Sequence, residues 1–123
     1  MIRWNDEARM SKDASKPHRH HPARPRPKLP HSRQFDHASA MFRALGEPSR
    51  LRLLTRLTAG EICVSELAQL EDEKVSTVSA RLKALHGAGL VNRRREAKHI
   101  YYALSDTHVL RLVQNALEHA SEK

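Results

Sequence analysis

From Gln34 onward, apolar side chains recur at the spacing of α-helices. "QFDHASAMFRALG" sets Phe35, Ala38, Met41, Phe42 and Leu45 on one face and stops at Gly46. "EPSRLRLLTRLTAG" predicts a second helix. Pro48 suits its first turn, Leu51, Leu54 and Leu57 or Leu53 form its inner face, and Gly60 closes it. "CVSELAQL" reads as a short third helix with Ser65 as candidate N-cap. "KVSTVSARLKALHGAGL" reads as a fourth, with Val75, Val78, Leu82 and Leu85 inward and Gly87 and Gly89 at its end. Then the pattern changes. Ile100, Tyr101 and Tyr102 favour a strand, Val91 to Arg95 is its natural partner, and "REAK" is the turn between them. Ser105 or Asp106 is placed to cap a last helix, "SDTHVLRLVQNALEHASE". The expected order is four helices, a hairpin and a helix: a mainly α fold with a small β-hairpin, and no internal repeat.

Residues 1–33 do not follow this pattern. They hold five of the six prolines, with His18, His20, His21 and His31 among many Arg and Lys, and too few apolar residues for a core. This composition predicts a disordered or polyproline-like basic arm, and residues 34–123 form the folded domain. The chain has 123 residues, enough for one modest core, and 39% apolar with 4% aromatic residues suits a small helical protein. The arm carries nine of the 22 Lys and Arg and three of the 14 Asp and Glu, so the folded part is nearly neutral. Such an arm suits a polyanion, nucleic acid first. The lone Cys63 cannot form an internal disulfide. With no bilayer-length apolar segment and no apolar leader, a cytoplasmic, non-membrane protein is expected. Without a glycine-rich phosphate loop, or a nucleophile flanked by base and orienter, an enzyme is not expected.

Two short helices joined by a tight turn and followed by a basic hairpin make a winged helix-turn-helix pattern. With Val78, Leu82 and Leu85 turned inward, Ser76, Ser79, Ala80 and Lys83 point away, and Thr77 and Arg81 lie on the flanks. Small hydrogen-bonding groups beside cations can approach base edges in a major groove. Arg93, Arg94, Arg95, Lys98 and His99 crowd the hairpin, where they would meet phosphates. The plainer reading, a solvated basic hairpin, loses ground because of the helix that precedes it.

The last helix carries Asp106 and His108 at one end and His119 and Glu122 at the other. On a helical wheel His119 falls about 20° from His108 and Glu122 about 40° to the other side, so the three share a face. The two histidines are roughly 16 Å apart along the axis, whereas zinc–ligand bonds are about 2 Å long. One helix cannot close such a site on itself. Two antiparallel copies can, each giving Asp106 and His108 to meet His119 and Glu122 of the other. Two nitrogen and two oxygen ligands make a sound tetrahedral set for Zn²⁺, with Co²⁺ and Cd²⁺ as chemical alternatives. Val109, Leu112, Val113 and Ala116 lie between the sites as interface or core. The plainer reading is that Asp106 caps the helix and the other three are solvated.

Together "ALGEPSRLRLLTRL", "EICVSELAQ", "VSTVSARLKALHGAGLV", "RRREAKHIYYAL" and "DTHVLRLVQNALEH" resemble the ArsR/SmtB metal-responsive repressors, with the closest likeness to the zinc-sensing SmtB branch. The likeness covers residues 38 to 122. It implies a homodimeric winged helix that binds double-stranded operator DNA, an inverted repeat, and is released by zinc. It also implies a metal motif that Asp106, His108, His119 and Glu122 match with the gap intact. Two turns depart from the family pattern: "EDEK", Glu71 to Lys74, stands where a glycine and an apolar residue are usual, and Ala97 stands near the wing tip where glycine is usual. At the position of the thiol-rich relatives' Cys-Val-Cys this chain has Cys63-Val64-Ser65. A candidate accessory site therefore joins Cys63 to arm histidines such as His31 or to His37, with Glu66. Two rivals remain open: a regulator of the same family answering another signal or no metal, and a metal-buffering protein acting through its His-rich arm.

Overall fold

The computed structural model describes residues 24–122. The arm's residues 1–23, with His18, His20 and His21, lie outside the described residues. Residues 24–31 are exposed and carry no regular secondary structure. Helix α1, Ser32–Leu45, starts two residues before the expected domain boundary because His31 caps it. The His31 Nδ1 accepts the Arg33 N–H at 3.1 Å, and the Gln34 side-chain oxygen accepts the His31 N–H at 3.3 Å. This is a capping box with an imidazole in the usual place of a hydroxyl.

The "ALGEPSR" stretch builds the joint between α1 and α2, Pro48–Leu57. Glu47 caps α2 by accepting the Arg50 N–H at 3.0 Å, and Pro48 needs no N–H in the first turn. Arg50 then reaches back to α1, donating from Nε to the Ala44 carbonyl at 2.8 Å and from Nη2 to the Arg43 carbonyl at 3.1 Å. Carbonyls that the end of α1 leaves unpaired are thus satisfied by the next helix. Of the leucines read as the inner face, Leu53, Leu54 and Leu57 are buried and Leu51 is half-buried.

After Gly60, whose φ of 130° suits only glycine, the chain forms a strand that periodicity did not reveal: β1, Ile62–Cys63. Two residues are too few to show a period. β1 pairs antiparallel with the later strand β3, His99–Leu104, Ile62 facing Tyr102 and Cys63 facing Tyr101. Helix α3, Val64–Glu71, follows directly, with Cys63 rather than Ser65 at its N-cap and no side-chain cap bond. Helix α4, Val75–Gly87, comes next, then β2, Val91–Glu96, β3, and α5, Thr107–Ser121. The hairpin is therefore part of a three-stranded antiparallel sheet in the order β1-β3-β2. The wing turn is tighter than "REAK": Glu96 pairs with His99, leaving only Ala97 and Lys98 between the strands.

α4 packs on α1, α2, α3 and β2, while β3 packs on α2, α3 and α5. Val78, Leu82 and Leu85 of α4, Leu53 and Leu54 of α2, Leu67 of α3, Val113 of α5 and Tyr102 of β3 fill the centre. Val75, expected inward, is 52% exposed because the first turn of α4 projects beyond this core. Phe35 and Phe42 of α1 are 47% and 61% exposed, so the apolar face read from their spacing is covered only through Ala38, Met41, Ala44 and Leu45. Among the described residues no helix is long and apolar enough to cross a membrane.

Both glycine departures take the conformation that glycine would supply. Ala97 sits at φ 53° and Asp72 at φ 52°. Asp tolerates the left-handed region through its short polar side chain, whereas Ala there costs about 1–2 kcal/mol. Ala97→Gly should therefore raise stability by about 1 kcal/mol in urea unfolding, after allowance for the freer unfolded chain; an unchanged or lower midpoint would contradict the strain assigned to the wing tip.

Glu71 ends α3 with its side chain only 6% exposed. It accepts from Arg52 of α2 at 2.7 and 3.3 Å and also from Arg56 of the same helix. The Arg52 hydrogen bond, ahead of the Arg56 bond and the charges of both guanidiniums, holds the Glu71 carboxyl below its usual range. A depressed folded pKa contributes stability at neutral pH that is lost as pH falls through that lowered value. Glu71→Gln should cost about 1–3 kcal/mol at pH 7. The gap from the parent protein should close in acid below the ordinary carboxylate range, and a gap independent of pH would refute the ionic origin.

Candidate DNA interface and metal site

The helix-turn-helix is α3, a three-residue turn and α4. The turn is a Schellman closure: the Glu73 N–H reaches the Ala68 carbonyl at 3.0 Å and the Asp72 N–H reaches the Gln69 carbonyl at 3.1 Å, with Asp72 in the left-handed region. Sequence reasoning placed three carboxylates of "EDEK" beside the start of α4, where they would repel phosphate. The structure distributes them. Glu71 turns back onto α2, Glu73 lies 3.7 Å from Arg81, and Asp72 makes the turn.

α4 presents the groups expected of a groove-reading helix. Ser76, Ala80 and Lys83 are exposed, and Thr77, Ser79 and Arg81 are half-buried on its flanks, opposite the wholly buried Val78, Leu82 and Leu85. Ser76, Thr77, Ser79 and Lys83 make no side-chain hydrogen bond or ion pair among the described residues, so their polar atoms are available to a ligand.

The wing divides its arginines between the two faces of the sheet. Residues directly opposite on antiparallel strands share a face. Arg93 and Arg95 oppose Tyr102 and Ile100 on the core side, and Arg94 opposes Tyr101 on the outer side. Arg94, expected at the phosphates, is engaged within the chain. Its guanidinium donates to both Glu61 oxygens, at 2.7 and 2.8 Å, and to Glu96 at 2.8 Å, and it lies 4.5 Å over the Tyr101 ring. The Glu61 hydrogen bond, then that of Glu96, raises the Arg94 pKa, and Arg94 in turn lowers that of Glu61. Arg94 thus braces the wing against the segment leading into β1. Glu61 was missed from sequence because it lies outside every periodic segment, 33 residues from its partner. Arg93, Arg95 and Lys98 are exposed and make no ion pair among the described residues.

At the start of α5, Asp106 is the N-cap, its Oδ1 accepting the Val109 N–H at 3.0 Å. The same oxygen lies 3.7 Å from His108 Nδ1, and both side chains are exposed. His119 and Glu122 are exposed at the other end, in the last turn and at the C-cap. Among the described residues no three His, Cys, Asp or Glu gather within one chain to hold a metal. The two pairs are thus prearranged at opposite ends and are not brought together by the fold of a single copy. Between them Val109 and Val113 face the core, Leu112 is half-buried, and Ala116, Leu117 and Ala120 are exposed.

Cys63 is half-buried, its Sγ 3.3 Å from Ser65 Oγ. Of its expected accessory partners, His31 is engaged as the α1 cap through Nδ1, and His37 and Glu66 are exposed.

A helix-turn-helix domain family matches residues 45–94, from the end of α1 through most of β2. A transcriptional repressor SmtB homolog from Synechocystis sp. is 38% identical over 89 residues, 72% of this chain and 67% of that protein. A cadmium resistance transcriptional regulatory protein, a CadC homolog from Staphylococcus aureus, is 35% identical over 83 residues, 67% of this chain and 69% of that one. Among solved structures, the homodimeric winged helix-turn-helix DNA-binding domain of a possible ArsR-family transcriptional regulator from Mycobacterium bovis superposes with a TM-score of 0.72 at 30% identity. The match covers 80% of this chain and 92% of that domain. These relatives are DNA-binding regulators, not enzymes, and with the helix-turn-helix, its wing and the C-terminal helix all in place, the chain belongs to the ArsR/SmtB family of transcriptional repressors.

Proposed function

We propose that the chain acts as a homodimeric repressor that binds an inverted-repeat operator and is released when zinc binds between the paired α5 helices. The observation that carries this reading is the exposure of Asp106, His108, His119 and Glu122 at the two ends of one helix, with uncovered apolar residues between them. An antiparallel second α5 would cover Leu117 and its neighbours. It would also bring Asp106 and His108 of one subunit to His119 and Glu122 of the partner subunit, twice per dimer. The donor set fits Zn²⁺: two imidazoles and two carboxylates, each reachable from solvent. Asp106 can cap α5 through Oδ1 and still offer Oδ2. The likeness to a cadmium resistance regulator supports a metal signal and keeps Cd²⁺ beside Co²⁺ as an alternative ion.

The metal supplies a divalent charge that holds four ligands from two subunits at fixed spacing. The remaining work belongs to the chain. Fixing the α5 pair fixes the angle between the two domains, and with it the separation of the two α4 helices, which must match successive major grooves. α5 packs directly on α2 and β3, so a shift of α5 reaches the helix-turn-helix and the wing through packed contacts. By linkage, DNA must weaken metal binding by the same factor that metal weakens DNA binding. A same-fold regulator with no metal response would bind operator equally with and without Zn²⁺. A buffering protein acting through its arm would bind metal without preferring any DNA.

A duplex recovered by the full chain from a random pool serves as operator. His108→Ala and His119→Ala should each leave its binding by metal-free protein intact and abolish release by Zn²⁺. A heterodimer of one His108→Ala chain and one His119→Ala chain, both with Cys63→Ser, should keep one complete site and lose the other. One tight Zn²⁺ per dimer is expected; none would rule out the shared site.

On the DNA side, Ser76→Ala or Thr77→Ala should relax base preference by about 1–3 kcal/mol per lost contact. Arg95→Ala should weaken all sequences alike and flatten the salt dependence by about one unit. Arg94→Ala should instead lower wing stability with a smaller change in salt slope. Equal slope changes for the two arginines would show that Arg94 leaves Glu61 to meet phosphate.

A further inference from the structure

Much of the folded domain's positive charge is engaged internally. Arg94 is held by Glu61 and Glu96, Arg52 and Arg56 by Glu71, and Arg81 faces Glu73. The strip just before α1 is the reverse. "RPRPKLP", Arg24 to Pro30, has three cations and no acid, every residue is exposed, and none makes an ion pair among the described residues.

The order of residues also dictates shape. Pro25, Pro27 and Pro30 fix φ near −65°. Arg24, Arg26 and Leu29 each precede a proline and are driven out of the helical region. The strip is therefore extended and polyproline-like, as its lack of helix agrees, with a rise of about 3.1 Å per residue and cations about 6 Å apart. The backbone is stiff before any ligand arrives, so little further order is lost on binding. His31 caps α1 directly after the strip and fixes where it leaves the domain.

Resting on DNA binding by the domain, we propose that Arg24, Arg26 and Lys28 form a second DNA contact, lying in the minor groove that flanks the operator half-site. A narrow A·T-rich minor groove concentrates negative potential and attracts arginine, and it admits a thin extended chain where a helix would not fit. Eight residues of about 3.1 Å span roughly 25 Å, enough to pass from the domain to the neighbouring groove. The contact would add affinity and a preference for flanking base composition, while α4 reads the half-site.

The test uses the full chain and a triple variant, Arg24→Gln, Arg26→Gln and Lys28→Gln, with every proline kept. Both are titrated across salt concentrations onto the selected operator duplex with A·T or G·C flanks. The parent should prefer A·T flanks several-fold. The triple variant should lose that preference, bind at least tenfold more weakly near 0.1 M salt, and show a slope shallower by up to about 5 per dimer, from three phosphates' worth of charge on each of two arms. Equal slopes would overturn the proposal. So would a lowered slope with no flank preference in the parent, which would assign the strip to phosphates alone. Unchanged operator binding with lost binding to anionic phospholipid vesicles would assign it to a membrane surface instead. Failure of the parent to bind any selected duplex would defeat the repressor reading itself, and is thereby distinct from failure of the arm.

Discussion

The constraint on which the structure rests is that α4 must bury one face completely and leave the other free. Val78, Leu82 and Leu85 have no exposed surface, and they are met by leucines from α2 and α3 and by Tyr102 of the sheet. Full burial on one side holds the axis and rotation of the helix, because a packed core tolerates little rearrangement. Ser76, Ala80 and Lys83 then point outward as a consequence. The small residues on that face need no partner within the chain, which is what lets another molecule supply one.

Charge is handled in the same division of labour. Glu71 draws Arg52 and Arg56 together and anchors the end of α3 to α2, so the turn leading into α4 is held at both ends. Glu61 and Glu96 do the corresponding work for the wing through Arg94, with Tyr101 beneath the guanidinium. These pairs are partly exposed, and each contributes modestly on its own. Their shared effect is positional, setting two elements at defined angles to the core. The cations left unpaired among the described residues, at Lys83, Arg93, Arg95, Lys98 and the strip before α1, are those on the groove-reading helix, on the wing and in the arm.

α5 shows a different kind of incompleteness. Its inner face is satisfied by Val109 and Val113, and its outer face ends in two pairs of ligand-type residues that one chain does not unite. Phe35 and Phe42 on α1 are likewise uncovered. Both helices have more apolar surface than the single domain can bury, and a second subunit is the simplest means of covering it.

Much of this was legible along the chain. Helical spacing, Gly46 and Pro48 marked the joint of α1 and α2, and the period of α4 separated its inner from its outer face, because both signals are local. The ligand-type residues of α5 were visible for the same reason: a single helix sets their spacing. What only the tertiary structure decided depends on residues far apart in sequence. The strand Ile62–Cys63 exists because β3 offers it an edge 38 residues onward, and two residues carry no period of their own. Arg94 became a brace because Glu61 lies across the sheet, Val75 is exposed because the core ends one turn into α4, and Glu71 left the DNA side because two arginines of α2 compete for it. Local propensity names an element and its faces; which face is covered, and which charge is already paired, is settled by what the rest of the chain packs against it.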